Sequence, residues 1–402
     1  MSFIMYWQLR TTLLACLGLC ACTPDAFEYG GPGSHGPSNC DTDDCPAQCP
    51  AGTKPGPSGS CEPICGDWQS TLEIPVPGAL AVFDTKVYAT GTSAGDEGRP
   101  PRAMLQRVEG CTGALTQAAL PLSDQGSSLE AVAPQGAALL IIAGSSNGVV
   151  TFAELDSTTL VEKAAHPLPG LPADARVVDL SLGSSGAWLA GQSKAGGSFV
   201  GRLAGGKICS GAVSGVVHTI AALSDGALVV SEAGGKLSLV RLGAAACNTS
   251  TATSPPLALP GADSASARDL LVIDSAAWVV GHARAGAAAP FGFVAAVDVS
   301  SGAVTAFAQS DVLLESITAV GSHLYAGGSR GPAQPGDDHS GVAALVAWAL
   351  PLENGAQPIW SQTVDAHRVQ ALGHDARAVF ALTATGTPGS PLASFALLSP
   401  PR

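Results

Sequence analysis

One short pattern recurs along the chain and restricts the folds open to it more than any other feature. An apolar run of strand length ends in a glycine, and a tight turn and another apolar run come before it. Successive copies are 40 to 53 residues apart, which is the spacing of four-stranded repeat units. The equivalent positions are Gly91, Gly144, Gly191, Ser231, Gly281 and Gly327.

Counting these copies, together with a last unit around residues 369–398, gives seven units. The apolar runs have strand length and are separated by Gly, Ser, Pro and Asp, and a helical periodicity is hard to find over any long window. We therefore predict an all-β domain over residues 67–402, a β-propeller of seven four-stranded blades. The last unit lacks a fourth strand, and the alternating segment 69–76 is expected to supply it and close the ring.

Two turns carry a resemblance to a known family. Residues 298–302 read DVSSG and residues 155–158 read LDST. Both are similar to the Asp-x-x-Thr-Gly turn of seven-bladed propeller repeats in exported bacterial proteins, including quinoprotein-like ones. The resemblance implies a propeller over Asp67–Arg402. Only Trp360 lies near the place where such repeats carry a docking tryptophan, while Trp188 and Trp278 are expected between blades, so neither a quinone nor any other cofactor is predicted.

The first 21 residues are predicted to be a lipoprotein signal peptide. A stretch of uncharged residues follows Arg10 and ends in Leu19-Cys20-Ala21-Cys22, too short to span a bilayer. This segment resembles a lipobox, which implies cleavage before Cys22 and acylation there, with palmitate as one of the chains. A plain secretory peptide is the alternative, and translation can begin at Met1 or Met5. By resemblance, Thr23 favours the outer membrane.

Residues 22–66 are predicted to be a disordered, Cys-rich tether that contains a disulfide knot, because Gly, Pro and Ser dominate and little can form a core. The cysteine spacing does not fit the paired arms of a zinc site, and no metal is predicted. Of eleven cysteines, eight remain once Cys16, Cys20 and Cys22 are set aside. The cysteines singled out for bridges to or within the propeller are Cys209 with Cys247, at equivalent turns, and Cys65 with Cys111.

The formal net charge of −13 argues against nucleic acid or anionic lipid surfaces as partners. The expected partners are the membrane, through the N-terminal lipid, and a protein, glycan or small ligand at one face of the ring. The chain is therefore expected to be exported and held at the cell envelope.

In a propeller the innermost strand of each blade lines the central channel. Residues at the start of these strands are expected at one mouth, where carboxylates and a histidine would bind a cation or a cationic ligand. The alternative is that they are solvated loop residues. The candidates are Glu130, Asp179, Asp269, Glu315 and His218, with Thr219 and Arg368 in equivalent places.

Three functions remain open from the sequence. The preferred one is a non-catalytic binding or scaffold module, since the chain lacks the common nucleophile, phosphate-loop and zinc-protease motifs. The second is an envelope hydrolase or lyase, in which Asp269 or Glu315 orients His218 or His367 as a base. The third is a purely structural envelope protein.

Overall fold

The computed structural model describes residues 53–55, 61–63, 69–72, 74–83, 85–93, 100–122, 127–146, 148–194, 196–244, 250–331, 341–375, 378–387 and 390–398. Within these ranges every regular element is a β-strand, and thirty strands are present. None of the described residues forms a helix with the length and hydropathy needed to cross a bilayer. The predicted signal peptide and Cys22 lie outside the described residues.

The chain divides into two compact units, residues 1–62 and 63–402. In the first unit, strand β1 (Thr53–Pro55) pairs with strand β2 (Cys61–Pro63) in a two-stranded sheet. This pairing corrects the prediction of a tether that is disordered throughout.

The second unit consists of seven four-stranded sheets, which are the blades. The prediction of an all-β propeller with four-stranded blades is confirmed. From the innermost strand outward, the blades are: blade 1, β4 (Val76–Phe83), β5 (Lys86–Thr92), β6 (Ala103–Glu109), β7 (Leu115–Ala119); blade 2, β8 (Ser128–Gln135), β9 (Leu139–Ser146), β10 (Val149–Asp156), β11 (Glu162–Pro167); blade 3, β12 (Arg176–Gly183), β13 (Gly186–Gln192), β14 (Ser198–Ala204), β15 (Lys207–Val213); blade 4, β16 (Val216–Leu223), β17 (Gly226–Ala233), β18 (Lys236–Gly243), β19 (Ser250–Thr253); blade 5, β20 (Ser264–Ile273), β21 (Ala276–Arg284), β22 (Phe291–Asp298), β23 (Val304–Ser310); blade 6, β24 (Val312–Val320), β25 (His323–Arg330), β26 (Val342–Ala349), β27 (Trp360–Thr363); and blade 7, β28 (Arg368–His374), β29 (Val379–Thr387), β30 (Ser390–Leu398), β3 (Gln69–Leu72).

Blade 7 is assembled from both ends of the unit. Strand β3 runs antiparallel to β30, with Gln69 opposite Ala396 and Leu72 opposite Ala393. The expected closing strand is therefore confirmed. Strand β3 covers the outer edge of β30, which an incomplete last blade would leave unpaired.

The hydrophobic core is divided among the interfaces between blades. Seven clusters of buried residues are present in the described part of the unit, and each is shared by two successive blades. Middle strands are consequently buried on both faces, as in β17, where six successive residues are buried. Trp188 lies in the cluster between blades 3 and 4 and Trp278 in that between blades 5 and 6, which confirms their predicted places.

Polar contacts join neighbouring blades near the outer rim. The guanidinium of Arg107 on blade 1 donates to the carbonyl oxygens of Ser157 and Thr158 on blade 2, at 2.9 and 2.6 Å. Arg202 on blade 3 donates in the same way to Ala244 of blade 4 and lies 5.4 Å from the ring centroid of Trp188. In these two places an arginine of the third strand therefore joins one blade to the next.

We expect Leu72→Ala to lower the free energy of unfolding by about 2–5 kcal/mol, because the side chain is 1% exposed and packs in the cluster between blades 7 and 1. Urea unfolding of the full chain measures this loss. Leu115→Ala is the matched control, since Leu115 is 48% exposed on an outermost strand. Equal losses in the two variants would contradict the role given to the closing strand.

Candidate functional site

The repeated glycine on the second strand of a blade has a steric cause. Gly144 is paired with Leu129 of the innermost strand, and a Cβ at Gly144 would collide with the carbonyl oxygen of Ser128. Gly281, paired with Ala267, is crowded in the same way by Ser266. At the position of this glycine, the backbone of the innermost strand therefore lies too close to the second strand for any residue with a Cβ atom.

Each innermost strand contains a β-bulge, which comes directly after the residue paired with this glycine or its equivalent on the second strand. At the bulge, one residue of the innermost strand is left unpaired in six blades and two residues in blade 1. Bulges redirect side chains, and here they set which ones face the channel. The bulged residues, in blade order, are Gly78 with Ala79, Glu130, Val178, His218, Arg268, Glu315 and Gln370.

The bulges correct the sequence alignment of the candidate residues. Glu130, His218 and Glu315 are bulged residues. Asp179 and Asp269 instead follow the bulged residue of their blades, in the position that Thr219 has in blade 4. The carboxylates therefore form two levels and not one ring of equivalent positions. In blade 6 the residue before the bulge, Leu314, is paired with Gly328, so the repeated glycine lies one residue beyond the predicted Gly327. Arg368 was also misplaced, since the residue of blade 7 that is equivalent to Thr219 is Ala371.

All five predicted residues line a single cavity of about 510 Å³ at the start of the innermost strands. Each of the seven blades contributes to its wall. Four further polar residues of the wall, Gln192, Arg268, Ser316 and Gln370, were missed from the sequence. For Arg268 a signal exists, because the bulged residue follows directly after Ala267, the partner of the repeated glycine Gly281. Blade 7 has Thr383 in place of that glycine, so the repeat does not mark Gln370.

Asp179 and Asp269 join blades rather than face a ligand. Oδ2 of Asp179 accepts hydrogen bonds from Thr219 Oγ1 at 2.6 Å and Ile220 N at 2.9 Å, both on blade 4, and Oδ1 accepts from Leu180 N. Asp269 repeats the arrangement with Ser316 Oγ at 2.7 Å and the backbone N of Ile317, on blade 6. Each side chain is thus held by three donors.

Burial opposes the charge of these two carboxylates. It raises the pKa of Asp179 to about 7, with a further contribution from the negative charge of Asp269. Burial also raises the pKa of Asp269. The donor hydrogen bonds act in the opposite direction, because they favour the ionised carboxylate.

Glu315 is surrounded by basic groups. Its carboxylate lies 3.5 Å from Arg268 Nε and 3.3 Å from His282 Nε2. Burial works to raise the pKa of Glu315, but His282 and the charges of Arg268 and Arg368 lower it overall. The charge of Glu315 is therefore compensated within the protein.

His218 pairs with a residue of its own blade. Its Nε2 lies 2.8 Å from Glu232 Oε2, and neither of the carboxylates predicted to orient it, Asp269 or Glu315, occupies that position. Burial lowers the pKa of His218, and the interaction with Glu232 only partly offsets this effect. His367, the second histidine considered as a base, is not part of the cavity wall.

Glu130 is held on one side only. Ser128 Oγ donates to its Oε1 and lies 2.8 Å from Ser145 Oγ. Oε2 is buried and accepts no hydrogen bond from the residues that the structure describes. Burial raises the pKa of Glu130 to about 7, although the Ser128 hydrogen bond and the charge of Arg176 act to lower it.

Two long connections lie around this mouth. Ser128, at the start of an innermost strand, is paired with Ser145, near the end of the second strand. Connections from second to third strands therefore begin and end at this face. In blade 1 the connection spans residues 93–102 and in blade 6 residues 331–341. Such connections commonly carry binding residues on a rigid scaffold.

Two of the cysteines singled out above, Cys111 and Cys209, are disulfide-bonded. Cys65 and Cys247 lie outside the described residues, so the predicted pairings stay predictions. Among the described residues, no group of three or more His, Cys, Asp or Glu side chains is arranged to hold a metal ion.

Comparison with known proteins identifies the fold. No family model matches the chain, and no curated protein matches it. The WD40 β-propeller domain of Doa1 is similar in structure, with a TM-score of 0.53 over 83% of this chain and 97% of that chain. The chain has a β-propeller fold. Because only 13% of residues are identical, the similarity establishes architecture alone.

We expect Thr219→Val to lower the free energy of unfolding by about 1.5–3 kcal/mol, because it removes a buried donor to the Asp179 carboxylate. Urea unfolding at neutral pH measures the loss. Thr305→Val is the matched control, since Thr305 is exposed and donates to a neutral carbonyl, that of Ala296, at 3.2 Å. A loss in Thr219→Val no larger than in Thr305→Val would show that Asp179 does not join the blades.

Proposed function

We propose that this protein is a lipid-anchored binding or scaffold module of the cell envelope, held to the outer membrane by acyl chains on Cys22. Its propeller presents a ligand site at the mouth of the central channel. The observation that carries the binding half is the cavity of about 510 Å³ to which all seven blades contribute. Its volume lies in the range of small-molecule sites.

The arrangement of the channel favours binding over catalysis. Asp179 and Asp269 are engaged by neighbouring blades, and His218 faces Glu232. The carboxylate-oriented base considered for an envelope enzyme is therefore not assembled from the residues that were predicted to form it. The remaining polar groups present hydrogen-bond acceptors, which suit recognition.

The sequence supports the anchor. Cys22 ends a segment that resembles a lipobox, and two or more acyl chains together hold a protein stably at a membrane where one does not. The even number of cysteines that remain agrees with an oxidising compartment, and the protein partner fits the role that propellers commonly have. The tether of residues 22–66 would hold the ring away from the lipid surface.

Metabolic labelling with a radioactive fatty acid tests the anchor. We expect the full-length protein to incorporate label and to sediment with the envelope, and Cys22→Ala to lose both properties. Cys20→Ala is the matched control, because it removes a neighbouring cysteine that leaves with the signal peptide. Label retained in Cys22→Ala, or lost in Cys20→Ala alone, would exclude lipidation at Cys22.

The binding half is tested by pull-down from detergent-solubilised envelopes, with the lipidated protein as bait and an unrelated lipoprotein carrying the same tag as control. We expect a ligand or partner at stoichiometric amount, specific to the propeller. Recovery of none would favour a purely structural protein, whatever the result of fatty-acid labelling.

A further inference from the structure

One side of the channel mouth presents acceptors without cations. Blades 7, 1 and 2 follow one another around the ring, and in this arc the polar side chains of the wall are Gln370 and Glu130. Blade 1 lies between them and contributes Gly78, Ala79 and Leu80. Among the residues that the structure describes, this arc of the cavity wall therefore has no cationic side chain.

Two oxygen atoms in this arc lack donors. Glu130 Oε2 and Gln370 Oε1 are both buried, and neither accepts a hydrogen bond from the residues that the structure describes. A buried acceptor that is left unsatisfied is costly, so an isolated case calls for an explanation. Here two such atoms flank the same stretch of one cavity wall, which indicates an external donor.

The chain keeps room between these two acceptors. Blade 1 carries the two-residue bulge, Gly78 with Ala79, and Thr90 Oγ1 holds it by accepting a hydrogen bond from Ala79 N at 2.9 Å. A Cβ at Gly78 would lie 2.8 Å from the carbonyl oxygen of Leu129 and 2.9 Å from Thr90 Oγ1. Glycine therefore permits the backbone to pack tightly here and adds no side chain to the cavity.

The opposite arc, formed by blades 3 to 6, is internally compensated. Arg268 and His282 surround Glu315, Glu232 faces His218, and neighbouring blades supply donors to Asp179 and Asp269. Among the described carboxylates of the wall, Glu130 is thus the one with an oxygen that accepts no hydrogen bond, and Gln370 lies on the other side of Gly78. Among the described residues, the cation whose charge lowers the pKa of Glu130 is Arg176, an exposed residue that is not part of the wall.

We propose that the arc formed by Gln370, Gly78 and Glu130 binds an ammonium or guanidinium group, carried either by a small organic cation or by a basic side chain of a partner. This inference rests on the proposed binding function and names its ligand chemistry. Such a group brings several N–H donors and a positive charge, which match a carboxylate oxygen and an amide oxygen that lack donors. An organic cation fits better than a metal ion, since the described residues include no three-ligand metal cluster.

Isothermal titration of the full-length protein in detergent with butylammonium and with butylguanidinium tests the proposal. We expect both cations to bind, and 1-pentanol and pentanoate, of similar size but neutral or anionic, not to bind. Glu130→Gln should weaken cation affinity by roughly tenfold or more, because it removes the charge of the hydrogen-bonded partner while keeping its shape. Gln370→Leu should weaken it to a smaller extent.

Glu162→Gln is the control variant, because Glu162 is an exposed carboxylate on the outermost strand of the same blade as Glu130. It should leave affinity unchanged. A pentapeptide Gly-Ser-Lys-Ser-Gly, compared with the same peptide carrying norleucine, separates the two sources of the cation. Tighter binding of the lysine peptide than of butylammonium assigns the site to a partner's side chain, and the reverse order assigns it to a small molecule.

Equal binding of pentanol or pentanoate, or unchanged affinity in both Glu130→Gln and Gln370→Leu, would overturn the proposal. Urea unfolding of each variant shows that a loss of affinity does not come from a loss of fold. If neither cation binds but the envelope pull-down still recovers a specific partner, the ligand chemistry proposed here is wrong and the binding function stands.

Discussion

The pairing of β3 with β30 is the interaction on which the rest of the unit depends. A four-stranded blade has two apolar faces, and in this chain each face is buried only against the next blade. An open array would leave one such face exposed at either end, with a large apolar surface in water. Because the closing strand comes from the start of the unit, the first and last segments of the propeller share one sheet. Closure therefore buries the last two faces and also fixes the diameter of the channel that the innermost strands enclose.

Within the closed ring, the bulge of each innermost strand decides what the channel contains. Side chains alternate between the two faces of a strand, so one extra residue reverses the direction of every residue that follows. Strand-length runs and recurring glycines are visible in the sequence, and they were enough to predict the propeller and the closing strand. The bulge is not visible as a local pattern, because the residues at its position range from Val178 to Glu315. This is why the carboxylates were placed on one level although they occupy two.

The convergence of the five candidate residues in one cavity followed from topology alone, since every innermost strand starts at the same mouth. Their individual roles did not follow from it. Thr219 lies 40 residues from Asp179 in the sequence, and Ser316 lies 47 residues from Asp269. The sequence predicts which residue types meet at the channel mouth. It does not predict which side chain of a neighbouring blade comes within hydrogen-bond distance of a carboxylate. Gln370 was missed because an isolated Gln on an apolar strand carries no motif, and Arg268 because the glycine that marks its bulge lies on the neighbouring strand.

A count of carboxylates is consequently a poor measure of what this channel attracts. Four acidic residues line the cavity, yet in three of them both carboxylate oxygens already have a partner. In a region of low dielectric constant, a carboxylate supplied with three donors has little to gain from an additional cation, whereas one with an unpaired oxygen gains most. Glu130 differs from Asp179 in this respect, although burial raises the pKa of both to about 7. The distribution of donors, and not the number of charges, therefore makes the arc of blades 7, 1 and 2 the part of the channel where a cation gains most.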